Sequence, residues 1–232
     1  MNLFAAMKRF ILAMIILGTS HVLWGQSDTV SDEPPFEPAK TLSVTDFTVP
    51  LSSVASGTLV LDAVITDTGK VQKVEMRRDI ASLTEVAVKS VKEWAFSPAT
   101  FAGKAISSRM PVAVTVRPPL ADVGPTPLPE LKPQTEAGIQ AAFQPAEVLH
   151  AVFPTYSAAN QVYAITVVLE ITLSATGKLK DAKVLMDAPP ATADAEAALE
   201  DWRFMSATWN GHPVTSTAVV VFVFKPPVYQ PR

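Results

Sequence analysis

Trp94–Gly103 reads WAFSPATFAG, and Trp202–Gly211 reads WRFMSATWNG. The offset between the two stretches is 108 (202 minus 94), and it holds well outside them. Thr68-Gly69-Lys70 recurs as Thr176-Gly177-Lys178, Val112, Val114 and Val116 as Val220, Phe222 and Phe224, and Arg117-Pro118-Pro119 as Lys225-Pro226-Pro227. A register kept without a gap from residue 57 to residue 119 is not a chance match, so the chain carries one small unit twice. The lead-ins rhyme as well, Phe36-Glu37-Pro38-Ala39 against Phe143-Gln144-Pro145-Ala146, with the offset reduced to 107.

Within the first copy, Thr58–Thr66 alternates, with Leu59, Leu61, Ala63 and Ile65 on one face, which predicts a half-buried strand. Asp67-Thr68-Gly69 turns the chain and Val71–Met76 returns it. Ser82 and Glu85 fit a capping box that opens a helix, on which Leu83, Val86, Ala87, Val91 and Trp94 share a face. Pro98 and Gly103 end the helix and turn the chain. Ile106–Val116 is the last strand, with Val112, Val114 and Val116 inward. The second copy predicts strands at Ile165–Leu173, Lys178–Met186 and Thr215–Phe224, and a helix over about Ala191–Trp202.

The expected fold class is therefore α+β: two tandem β-β-α-β domains, each a small antiparallel sheet packed on one helix, over residues 36–118 and 143–228. Between them runs a linker over residues 119–142. Pro118–Pro133 holds prolines at 118, 119, 125, 127, 129 and 133, the composition of a semi-rigid spacer. At ~3.1 Å per residue it would reach ~50 Å. One asymmetry separates the copies. The outward positions of the first last strand are Pro111, Ala113 and Thr115, whereas the second has Val219, Val221 and Val223, a face that needs cover.

The 232 residues are 48% hydrophobic and 18% charged, the balance of a globular chain. A formal net charge of −3 without basic clusters argues against nucleic acid as a partner. The chain has no cysteine, which excludes disulfides, thiolate metal sites and thiol catalysis. Residues 1–25 read as a signal peptide: Lys8-Arg9, the apolar run Phe10–Leu17, then Gly18-Thr19-Ser20 and Val22-Leu23-Trp24-Gly25. That run is shorter than the roughly 20 residues of a spanning helix, and His21 lies soon after it. A short uncleaved anchor is the alternative, and would be the chain's membrane contact. Either way the body is expected outside the cytoplasm. Residues 26–35 form an acidic, proline-bearing tether.

At these residues the chain resembles the C-terminal domain of the TonB energy-transducer family. The first copy carries the pattern in Val49-Pro50, Leu59–Ile65, Thr68-Gly69-Lys70-Val71, Ala87–Val91, Trp94-Ala95-Phe96-Ser97-Pro98-Ala99, Gly103 and Val112–Val116. The second carries it in Phe153-Pro154, Val167–Leu173, Thr176-Gly177-Lys178-Leu179, Ala197-Ala198-Leu199, Trp202-Arg203-Phe204 and Gly211. Met205-Ser206 departs from the family's x-Pro, and Leu17 stands four before His21 where family anchors carry serine. The resemblance implies a periplasmic module that binds an extended segment of an envelope or outer-membrane protein by strand addition at a sheet edge.

No catalytic, cofactor-binding or metal-binding residue is assigned. His150 and His212 are far apart in the chain, without the acidic spacing of a metal site, and Asp62 and Glu170 read as outward, solvated strand positions. No nucleophile elbow or phosphate loop occurs. Trp94 and Trp202 read as core residues. The expectation is a non-enzymatic docking module, with Ser107, Met110, Val112, Val114 and Val116 on the partner-binding edge. Two alternatives stand beside it: an envelope scaffold that self-associates through the valine-rich last strand, and an energy transducer anchored by residues 8–24.

Overall fold

Strand propensity and alternation over Gly57–Ile65 and Ile165–Leu173 produce strands, but these are buried on both faces rather than one. The computed structural model that shows this describes residues 34–49, 55–117, 124–125, 128–132, 142–154 and 163–226. The leader, most of the tether and most of the linker lie outside them.

The elements of the first copy are β1 (Phe36–Glu37), β2 (Lys40–Ser43), β3 (Gly57–Ile65), β4 (Val71–Arg78) and α1 (Ala81–Lys92). They continue as β5 (Ala95–Ser97), β6 (Ala99–Phe101), β7 (Lys104–Ile106) and β8 (Ser108–Arg117), followed by the two-residue β9 (Gly124–Pro125). The second copy comprises β10 (Phe143–Gln144), β11 (Glu147–His150), β12 (Val152–Phe153), β13 (Ile165–Leu173) and β14 (Leu179–Met186). Then come α2 (Ala191–Leu199), β15 (Arg203–Met205), β16 (Ala207–Trp209), β17 (His212–Val214) and β18 (Ser216–Phe224). The protein is thus mixed α+β, mostly strand. The starts of β3 to β8 keep the offset of 108 to their counterparts, and those of β1 and β2 keep the offset of 107.

The described residues belong to one compact unit. Its centre is a six-stranded sheet in the order β14-β13-β18-β8-β3-β4. Pairing is antiparallel within each half and parallel at the seam, where Val219 lies opposite Val112 and Val223 opposite Val116. This corrects the expectation of two bodies held apart by a proline spacer: the last strands of the two halves pair directly. Gly124–Pro125, inside that spacer, pairs with Val152–Phe153.

The seam register has a structural consequence. The repeat offset is 108, but facing residues differ by 107 (219 minus 112). Side chains alternate faces with period two, so a one-residue difference inverts the faces. Val112, Val114 and Val116, which share the face of Leu59 and Leu61, therefore continue into Val219, Val221 and Val223, which lie opposite the face of Val167 and Leu169. The two helices consequently sit on opposite sides of one sheet.

Each half covers one whole face. The first lead-in crosses onto the second half: Thr217 Oγ1 donates to Ala39 O at 2.6 Å, Thr166 Oγ1 to Phe47 O at 3.3 Å, and Thr41 N to Glu170 Oε2. The same lead-in touches α1 through Thr45 and Ser90. On the other face Trp202, just beyond α2, stands edge-on to Phe222 at 5.8 Å. There Gln144–Glu147 lie beside Val60 and Asp62 of the first half. The cover that the valine face requires is thus the other half's lead-in, and Val219, Val221 and Val223 are all buried.

Three local expectations change. Residues 95–101 do more than end a helix: β5 pairs with β2, and β6 with β1 and β7. The α1 cap is not Ser82 with Glu85, because the helix begins at Ala81 and Ser82 is already inside it. Instead Thr84 Oγ1 bonds Asp79 Oδ1 and Ile80 O. The second helix stops at Leu199, short of Trp202. The turn glycines hold their expected places. Gly69 has φ +81° and Gly177 φ +75°, and a Cβ on either would strike a backbone carbonyl, of Phe96 or Phe204.

Candidate docking edge and the cleft between the halves

Burial and pairing place the residues expected at a partner-binding edge inside the sheet. Met110, Val112, Val114 and Val116 are buried, and Ser107 immediately precedes the strand. One side of Ser108–Arg117 is taken by β3 and the other by β18. The strand expected to be an open edge is an interior strand, because the second half supplies the neighbour. The valine-rich β18 is likewise filled on both sides, by β13 and β8.

The edges of the sheet are instead β4 and β14. They are not equivalent. At β4 the segment 128–132 closes the end of the edge: Lys132 N donates to Arg77 O at 2.7 Å, Arg77 Nη1 bonds Lys132 O, and Arg78 Nη1 donates to Pro129 O at 2.7 Å. Lys132 Nζ also pairs with Asp79 Oδ2 at 3.0 Å. The Thr84 hydroxyl and this ammonium hold the Asp79 carboxyl below its ordinary value of 3.8. At β14, among the described residues, no strand pairs with the outer side of Leu179–Met186. Lys180, Asp181, Lys183 and Val184 are exposed there. A groove of about 790 Å³ runs beside this strand, its walls including Lys178, Lys180, Glu196, Glu200 and Arg203.

A second cleft, about 670 Å³, opens where the halves meet, between Val60, Asp62 and Arg77 on one side and Gln144–Glu147, Met205 and Thr208 on the other. Beside it lies a buried ion network. Arg109 Nη1 contacts Glu75 Oε2 and lies 3.8 Å from Asp62 Oδ2, Arg77 Nε lies 3.5 Å from the same oxygen, and Lys73 Nζ is 2.8 Å from Glu75 Oε1. Burial pushes the Glu75 carboxyl up, but the hydrogen bonds and charges of Lys73 and Arg109 outweigh it and hold the group below 4.5. Asp62 and Glu170 are therefore not solvated, as their outward positions implied: each faces the other half's cover, and both are buried. The network is not repeated, since Arg109 and Glu75 correspond to Thr217 and Lys183.

Trp94 and Trp202 are buried, and Trp202 Nε1 donates to Val152 O at 3.1 Å. His150 lies in β11 and His212 in β17. Among the described residues no helix is long and apolar enough to cross a membrane. No protein-family model, curated protein or solved structure matches this chain.

Proposed function

We propose that this is an exported, non-enzymatic protein-interaction module of the cell envelope, built from two β-β-α-β units like the C-terminal domain of the TonB family. It docks an extended segment of an envelope partner by strand addition. The observation that carries the reading is the unpaired outer side of β14, at one end of a sheet whose other edge strand, β4, is met at its Arg77–Arg78 end by residues 128–132. The docking element is thus Leu179–Met186, in place of the strand at 107–116. Self-association through the valine-rich strand draws no support, because β18 is already paired on both sides within the chain.

Proline scanning along β14 tests the reading. Successive N–H groups of a strand point to opposite sides, so of Asp181→Pro and Ala182→Pro one removes an inward donor and the other an outward one. The outward variant is expected to remain folded and to lose capture of envelope protein that the parent retains. A folded pair of variants that both capture as the parent does removes β14 as the docking element.

A further inference from the structure

The chemistry of the β14 edge names its occupant. Resting on the reading of β14 as the docking element, we infer that the partner is a second copy of this chain, its β14 paired antiparallel about a two-fold axis through Ala182. The edge reads Leu179-Lys180-Asp181-Ala182-Lys183-Val184-Leu185. A two-fold through Ala182 sets Asp181 opposite Lys183 twice, Lys180 opposite Val184 twice, and Leu179 opposite Leu185 twice. Opposite charges facing across strands stabilise the pairing, and like charges oppose it. Moving the axis to Asp181 or to Lys183 places that charge against its own copy, and an axis between two residues would oppose side chains that lie on different faces of the sheet. Centring on Ala182 matches every charge in the run to an opposite charge or an apolar side chain.

Three further observations agree. The β13–β14 ladder slips at Lys180 and at Leu185, leaving Asp181–Val184 as the regular run, and the axis falls within it. Among the described residues Asp181 and Lys183 make no ion pair, although both are exposed. In β4 the equivalent charges, Lys73 and Glu75, are instead consumed inside the chain at 2.8 Å from each other, with Arg109 beside them. Lysine on an edge ordinarily deters edge-to-edge pairing. Here the neighbouring aspartate converts that deterrent into register selection.

Sedimentation of the full chain over a roughly hundredfold range of concentration tests the inference. The parent is expected to show a concentration-dependent dimer. Asp181→Lys and Lys183→Asp should each weaken it by about tenfold, since each change makes two symmetry-related pairs like-charged. The combined Asp181→Lys/Lys183→Asp chain exchanges the charges and should recover parental dimerisation, which a merely disturbed fold would not do. A monomer at every concentration overturns the inference, as does a dimer unmoved by the single reversals, or a double variant no better than either single. If the parent is monomeric but the outward proline variant still loses captured envelope protein, the docking reading stands and only the identity of the partner falls.

Discussion

Phe36 and Phe143 stack on each other with ring centroids 4.8 Å apart and planes inclined by 25°. They are counterparts at offset 107, so each lead-in meets its own repeat equivalent. Trp209 joins them, 5.6 Å from Phe36 and 4.6 Å from Phe101, which is its own counterpart in the first copy. Four aromatic residues from two copies thereby form one cluster tying the halves together.

Phe36→Ala is expected to destabilise the fold by about 3–5 kcal/mol, the range for removing a buried phenylalanine. Phe143→Ala should cost a similar amount. Because the rings touch, the double variant should cost less than the sum, by about 0.5–1.5 kcal/mol. Urea denaturation of the four chains measures this. Strict additivity would mean the two rings act independently.

Glycine substitutions should divide into two classes. Gly69, Gly103, Gly177 and Gly211 all have positive φ, but only at Gly69 and Gly177 does an added Cβ strike a backbone carbonyl. Gly103→Ala and Gly211→Ala should cost about 1 kcal/mol each for the left-handed backbone. Gly69→Ala and Gly177→Ala should cost at least about twice that, since β5 or β15 must move. Equal shifts in melting temperature across the four would contradict the close approach.

Arg109→Leu should cost about 3–5 kcal/mol, by leaving Glu75 and Asp62 buried beside too little positive charge. The same network sets an acid dependence. Glu75 is held below its ordinary value of 4.5 when folded, so the unfolded chain binds the proton more readily. Its contribution is present above 4.5 and is lost as pH falls through the lower, folded value. Glu75→Gln should therefore lose less stability than the parent on acidification through that window. Parallel stability curves for the two chains would place the acid sensitivity elsewhere.

Val114→Pro should unfold the protein rather than spare it. Val114 lies opposite Leu59 on one side and Val221 on the other, so proline breaks an interior ladder. Circular dichroism distinguishes this from a folded chain that merely fails to bind.

Much of this architecture can be read from the residues alone. The repeat follows from comparing the two halves, and the strands β3 and β13, the turn at Gly69 and the burial of Trp94 from short-range pattern; each is found in place, although the alternation of β3 and β13 marked one buried face and both faces are buried. Helix ends were less legible, because a Ser82–Glu85 spacing also occurs inside a helix that begins at Ala81. The small strands β5 and β6 were hidden because their partners lie far back along the chain, in the lead-in.

The amino-acid sequence by itself determined the doubled unit, the elements in each copy and the apolar sides they present, since these depend on side-chain period and on backbone preferences over short stretches of chain. It also marked Val219, Val221 and Val223 as a face in need of cover. Only the tertiary structure decided what provides that cover and which strands become the edges. Backbone donors and acceptors are the same in every residue but proline, so no local pattern distinguishes a strand paired on both sides from one at an edge. The parallel register of Val112 with Val219 is a long-range choice of one residue. That residue puts the two helices on opposite faces, buries Asp62 and Glu170 under the partner half, closes the strand at 108–117 and leaves β14 at the end of the sheet.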